Sequence, residues 1–305
     1  MTIHTFRMMT MTALAVATLA AADPPAALQK EIGAIAGSDT ARVGAAAMLV
    51  ETGERVAVRG GERFPMQSVF KLPVGLWALH EVDAGRLKLE TQVTLRREDL
   101  LDGGLDPIAT AFPDGGTFSI EDLLRRMVSN SDNTAVEAIL KLTGGPPAVT
   151  RWLSALGVTG IRVDRGERQI GRDLNGPGAL ERYERDPRDT ATPDGAVDLL
   201  VKVLAGAKLE KASEARLRTW MTDTPTGPMR IKGLLPPGTP VAHKTGTGPD
   251  RGGVNAATND IGLVALPGGR HLAVAVFIAE SRQPLEAREA IIARIAKAAF
   301  DYWTK

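Results

Sequence analysis

Ser68 and Lys71 stand three residues apart in Ser68-Val69-Phe70-Lys71, a spacing that puts a hydroxyl and an amine on one face of a helix. A serine hydroxyl is a weak nucleophile at neutral pH and needs a neighbouring base. A lysine desolvated beside it shifts its pKa and can take up the proton. A helix beginning near Ser68 would also aim free backbone N–H groups at a developing oxyanion. Alone, this tetrapeptide marks no more than a capping serine beside a solvated lysine, since it arises by chance roughly once in a chain of this length. Two further motifs change its weight. Ser131-Asp132-Asn133 lies between two helical runs, inside a Ser-Asn-Ser-Asp-Asn-Thr cluster that also suits a helix cap. Lys244-Thr245-Gly246-Thr247 reads as an edge strand whose glycine lets the backbone approach a ligand.

These three motifs, in this order and widely spaced, resemble the set of class A serine β-lactamases and penicillin-binding proteins. The resemblance covers essentially the whole chain after its first 22 residues. It implies Ser68 as the acylated nucleophile, with Lys71 as its proton partner. It implies that Ser131 passes a proton to the β-lactam nitrogen, that Asn133 binds the substrate's side-chain amide, and that Asp132 braces the loop. Lys244 and the hydroxyls of Thr245 and Thr247 would meet the substrate carboxylate beside Gly246. The Thr247 N–H would complete an oxyanion hole with that of Ser68. Small-molecule β-lactam substrates, no cofactor, no metal and a monomer follow from the same resemblance.

A β-lactamase differs from a transpeptidase in activating water to release its acyl-enzyme, which class A members do with a glutamate on an Ω-shaped loop. Asp164-Arg165-Gly166-Glu167 resembles the start of that loop, with Glu167 placed 36 residues after Ser131 (167 − 131). Arg188-Asp189-Thr190-Ala191-Thr192-Pro193 resembles its end, and the resemblance implies an Arg165–Asp189 ion pair across its neck. Leu174-Asn175 matches a pair inside it, making Asn175 a candidate binding residue. The departure is one of spacing, because Asn175 follows Glu167 by eight residues (175 − 167), twice the usual gap. Counting back from Asn175 puts Gly171 at the base position. The Asp164-Arg165 register puts Glu167 there, and Asp173 is a third candidate. Arg230, 14 residues before Lys244 (244 − 230), is a candidate carboxylate partner, since a guanidinium fork matches a carboxylate. Other members carry that arginine on the following strand, where this chain has Ile261 and Gly262. Leu105 stands where an aromatic residue often flanks the pocket mouth.

The rest of the chain must position these groups. It has 305 residues, 44% of them hydrophobic, with 37 Lys+Arg against 36 Asp+Glu, so a large core is possible and no basic footprint for nucleic acid exists. Four scattered histidines and no cysteine leave no zinc site of ordinary spacing. His4 and Arg7, the apolar run from Met8 to Ala20, and Ala20-Ala21-Ala22 before Asp23 form a secretory signal over residues 1–22. That run is too short to span a bilayer. The expectation is an exported protein, periplasmic in a Gram-negative cell.

Helical patterns over 26–35, 120–129, 134–142, 148–156 and 193–204, and a closing helix over 284–302, bracket apolar strands at 43–50, 55–58, 261–266 and 271–279. The charged, Gly- and Pro-rich stretch 162–189 reads as one long functional loop. Strands at both ends with helices between imply an α+β fold: a five-stranded antiparallel sheet flanked by terminal helices, with a helical domain inserted. The expected division is 23–64 plus 210–305 for the α/β part, and 65–209 for an all-α part that includes the Ω-type loop. The reading is a secreted serine β-lactamase. The alternatives are a D-alanyl-D-alanine peptidase or penicillin-binding protein, and an inactive sensor module of the same fold.

Overall fold

A computed structural model describes residues 25–101, 106–204 and 209–305. The expected signal segment and Leu105 lie outside the described residues.

The chain opens with helix α1 (Ala26–Ala36), stopped at Gly37, and then forms strands β1 (Arg42–Leu49) and β2 (Glu54–Val58), joined by a tight turn. A two-residue strand β3 (Phe64–Pro65) leads into a 3-10 turn over Gln67–Phe70 and helix α2 (Lys71–Asp83). Strand β4 (Gln92–Arg96), helix α3 (Pro107–Ala111) and strand β5 (Gly115–Ser119) follow. Helices α4 (Ile120–Ser129), α5 (Asn133–Leu142) and α6 (Pro146–Ala155) come next. The loop region carries α7 (Glu167–Asp173), α8 (Ala179–Arg185) and the short strand β6 (Thr190–Ala191). After α9 (Pro193–Leu204) and α10 (Lys211–Thr222), strands β7 (Val241–Thr247), β8 (Asp250–Arg251), β9 (Val254–Asn255), β10 (Thr258–Leu266) and β11 (Arg270–Ala279) precede helix α11 (Leu285–Thr304).

Five of these strands form one antiparallel sheet in the order β2-β1-β11-β10-β7, which puts β7 and its Lys244 motif on an open edge. Side chains alternate across a strand. Val43, Ala45, Ala47 and Leu49 therefore join Val274, Val276 and Ile278 on the face covered by Leu28 and Ile32 of α1 and by Ile292, Ile295 and Trp303 of α11. Ala46, Met48, Ala273, Ala275 and Phe277 belong to the core on the other face, with Phe64 and with Leu199 and Leu200 of α9. Both faces are covered, so the central strands read as unbroken apolar runs. The expected all-α middle segment is corrected in two respects. It contains the short strand β6, paired with β3, and the β4–β5 pair, which runs from Gln92↔Ser119 to Arg96↔Gly115.

The expected long loop folds back on itself. Arg165 lies at its neck, nearly buried, with Nε donating to Asp189 Oδ2 at 2.6 Å and Nη1 to Asp173 at 2.7 Å and Asp186 at 3.1 Å. Asp189 also accepts from the backbone N–H groups of Asp164 and Arg165 through Oδ1. Its own carbonyl accepts from Met66 N at 3.0 Å, which ties the loop's exit to the turn bearing Ser68. Removing one member of a buried ion pair strands the other charge and costs about 3–5 kcal/mol. Asp189→Asn should therefore raise amide hydrogen exchange across residues 165–189. Exchange unchanged there would show that the clasp does not hold the loop.

Candidate active site

The helix expected to begin at Ser68 begins three residues later, at Lys71, and Ser68 sits on the 3-10 turn before it. In that tighter turn residues i and i+3 eclipse, so the Ser68–Lys71 pairing survives. Lys71 is fully buried, and its Nζ donates to Ser68 Oγ at 3.1 Å and to the Ser131 carbonyl at 2.7 Å. It also donates to Asn133 Oδ1, and it pairs with Glu167 Oε1 at 2.9 Å. Glu167 Oε1 lies 3.5 Å from Ser68 Oγ. Of the three candidate bases, Glu167 is the one brought to Ser68. Asp173 is held on Arg165, and Gly171 has open space where a side chain would start.

Each contributing segment is fixed by an identifiable contact. The turn at Ser68 hangs from Asn259, whose Nδ2 donates to the carbonyls of Pro65 at 2.8 Å and Met66 at 3.0 Å. Gly246 lets β7 pass against this turn, because a Cβ there would come within 2.3 Å of the Met66 carbonyl oxygen. The glycine expected to admit a ligand thus first admits the nucleophile's own backbone. Asp132 caps α5 by accepting from Ala135 N at 2.8 Å, and accepts from Ile108 N at 2.7 Å through its other oxygen. Burial, reinforced by the nearby Asp106 charge, pushes the Asp132 carboxyl up to about 6. Ser131 takes a left-handed backbone conformation, φ 60°, which turns its carbonyl to Lys71 and its hydroxyl to Lys244, 3.0 Å away. Glu167 is placed by a third contact. Glu137 accepts from Arg168 N at 2.9 Å, and its carboxylate occupies the space a side chain at Gly166 would need.

Lys244 is fully buried, and that burial, with the Lys71 charge beside it, holds its amine well below the usual lysine range. Thr245 shares a hydrogen bond with Thr226 at 2.7 Å, and the exposed Thr247 accepts from Arg230 Nη2 at 2.8 Å. Arg230 itself differs from expectation. Its guanidinium is buried, with Nε on Glu289 at 3.1 Å and Nη1 on the carbonyls of Gly246 and Asn259, and it reaches the site through the Thr247 hydroxyl. Asn175 departs further. It is exposed beyond α7, and no hydrogen bond links it to Ser68, Lys71 or Glu167. Cavity size does not locate this chemistry. A cavity of about 790 Å³ opens between β4, the outer face of α5 and Arg168, with none of Ser68, Lys71 or Lys244 in its wall.

Sequence reasoning missed Asn259, Glu137, Thr224 and Thr226. The Thr224-Pro225-Thr226-Gly227 turn has no periodicity to place it, and Asn259 stands in what reads as ordinary strand.

Comparison with known proteins gives consistent matches. The model of a family described as the β-lactamase enzyme family matches residues 27–303. The extended-spectrum β-lactamase PER-1 of Pseudomonas aeruginosa is 38% identical over 280 residues, covering 91% of this chain and 88% of its own. β-Lactamase VEB-1, from the same organism, is 37% identical over 265 residues, 86% of each chain. The crystal structure of the TLA-3 extended-spectrum β-lactamase superposes with a TM-score of 0.86 at 33% identity, covering 92% of this chain and 99% of that one. A β-lactamase structure from Chitinophaga pinensis gives 0.85 at 33%, covering 91% and 99%.

The position of Asn175 generates a direct check. An exposed side chain outside the machinery changes free energies by about 0.5 kcal/mol or less, so Asn175→Ala should hydrolyse substrate within about twofold of the unmutated rate. A loss beyond about tenfold would place Asn175 back in the site.

Proposed function

This chain belongs to the class A serine β-lactamases, and from that premise we propose that it opens the β-lactam ring through a Ser68 acyl-enzyme, released by water that Glu167 activates. The observation that carries the reading is the position of Lys71 Nζ, bonded at once to Ser68 Oγ and Glu167 Oε1. A protonated lysine has three hydrogens, and four acceptors surround this one. When Lys71 passes a proton to Glu167, the remaining two hydrogens stay on the Ser131 carbonyl and Asn133 Oδ1. The lone pair left on the Glu167 side of the amine is then available to the Ser68 hydroxyl, whose oxygen lies 3.1 Å from Nζ and 3.5 Å from Oε1. Lys71 takes that proton as Ser68 Oγ attacks the lactam carbonyl, and the N–H groups of Ser68 and Thr247 receive the oxyanion.

The ring C–N bond breaks as Ser131 donates its proton to the leaving nitrogen. The Ser131 hydroxyl, held by Lys244 in the resting site, turns to Lys71 to be replenished, and Lys71 recovers its proton from Glu167, so Glu167 is left ionised for the second half-reaction. It then accepts a proton from water as the water attacks the acyl carbon, and Ser68 Oγ departs with a proton from Lys71, which recovers one from Glu167 and so restores both groups. Asn133 Nδ2 is free to hold the substrate's amide while Oδ1 stays on Lys71. Lys244 and the β7 edge supply the amine- and hydroxyl-bearing wall for the substrate carboxylate.

Export is part of the same proposal. The pattern of residues 1–22 supports it, and among the described residues no helix is long and apolar enough to cross a membrane.

Intact-mass measurement tests both parts. A positioned general base contributes about 10²–10⁴-fold, so Glu167→Gln, which also loses the acceptor of the Lys71 proton, should acylate Ser68 more slowly and then stall, with the adduct mass persisting and near-zero turnover after the first equivalent. Normal turnover by Glu167→Gln would refute the assignment, and a persistent adduct on the unmutated protein would favour a peptidase or sensor. In the same spectra, the native exported chain should begin at Asp23, whereas an intact Met1 would reject export.

A further inference from the structure

The cavity between β4 and the outer face of α5 takes no part in the chemistry at Ser68. We infer that it is a second binding site, for an amphiphilic organic anion: a carboxylate or sulfonate on an apolar body, with its charge on Arg168. Its volume of about 790 Å³ falls within the roughly 300–1,000 Å³ of small-molecule sites. Gly166 and Arg168, the two neighbours of Glu167, both line it.

The sequence builds its walls. Thr134, Glu137, Ala138, Lys141 and Leu142 recur at i, i+3, i+4, i+7 and i+8 along α5, which gathers them into one stripe. Val93 and Leu95 stand two apart on β4 and so share a face. Leu142 lines the cavity and is still 42% exposed. An apolar body laid on Val93, Leu95, Ala138 and Leu142 takes that surface out of water.

Charge decides the sign of the ligand. Each acid in the wall already has a donor. Glu98 pairs with Arg96 at 3.6 Å, Asp99 accepts from the Arg96 N–H at 3.0 Å, and Glu137 accepts from the Arg168 N–H at 2.9 Å. The Arg168 guanidinium has five N–H donors and no acceptor. Its Nη2 donates to the carbonyls of Glu98, Asp99 and Leu100 at 3.3, 3.0 and 3.3 Å, and among the described residues no carboxylate pairs with it. Nε and Nη1 are left to give. Lys141 adds a second cation, with its side chain 82% exposed and Asp99 no nearer than 4.0 Å. A guanidinium offering two parallel N–H groups matches the paired oxygens of a carboxylate or sulfonate.

The probe is anilinonaphthalene sulfonate, whose fluorescence rises on leaving water, titrated into the full chain beside uncharged phenylnaphthylamine. Sulfonate binding should saturate at one equivalent. Arg168→Gln should weaken it about tenfold, the scale of a hydrogen bond to a charged group, and leave the uncharged probe within about twofold. Arg168→Lys, which keeps the charge without the fork, should lose less. Leu142→Asp, which sets a like charge on the apolar wall, should weaken the sulfonate by about tenfold or more. The same change at Leu285, exposed on α11, should leave it within about twofold. Hydrogen exchange locates the probe, with slowing expected over 93–99, 137–146 and 166–168. Protection centred on 66–71 or 244–247 would place the probe at Ser68 and overturn the inference. Equal sulfonate affinity with and without Arg168, or no saturable binding, would overturn it as well.

Discussion

A fully buried ammonium, that of Lys71, sets the terms for the rest of the molecule. An ion of that size taken out of water costs several kcal/mol unless paired and hydrogen-bonded. Its acceptors come from three separate places: Ser68 on a turn, Ser131 and Asn133 at the head of α5, and Glu167 at the head of α7. The fold can keep the lysine inside only by bringing all three together. Each scaffold contact described above fixes one of them. Asn259 and Gly246 hold the turn, Asp132 the head of α5, and Glu137 with the Arg165 clasp the loop. The groups that make Lys71 tolerable inside the protein are the same groups between which it can move protons.

A second buried lysine, Lys244, sharpens this arrangement. Two like charges in one desolvated site disfavour each other, and its amine is held down accordingly. Ser131 stands between them, its carbonyl on one and its hydroxyl on the other. The left-handed backbone at Ser131 is the local strain that permits both contacts, and the cap made by Asp132 offsets it. Strain at this residue is thus part of how the site is built.

Much of this was legible in the sequence, for physical reasons. Helix 120–129 coincides with α4 because its apolar residues recur at helical spacing and Ser119 caps it. The strands of the sheet are long apolar runs because both faces are buried. The register from Asp164-Arg165 points to Glu167, which the fold brings to Lys71, and the clasp ties that register to the loop's neck. Asn175 was misplaced because the match was made by type within a loop. Once α7 starts at Glu167, the longer spacing carries Asn175 to the outside. Arg230 was matched by spacing alone, which says nothing about which way a guanidinium faces. The β4–β5 pair escaped because each strand buries a single residue and carries little apolar signal.

The central claim is that Lys71 performs the first proton transfer and does more than hold the site together. Single-turnover acylation of Lys71→Ala, followed by mass at Ser68 with Glu167 intact, tests it most directly. The account predicts acylation slowed by about 10²–10⁴-fold, with hydrogen exchange of the Ser68 turn and α5 otherwise preserved. Acylation within about tenfold of the unmutated rate would contradict it, and would make Glu167 alone the base for both half-reactions.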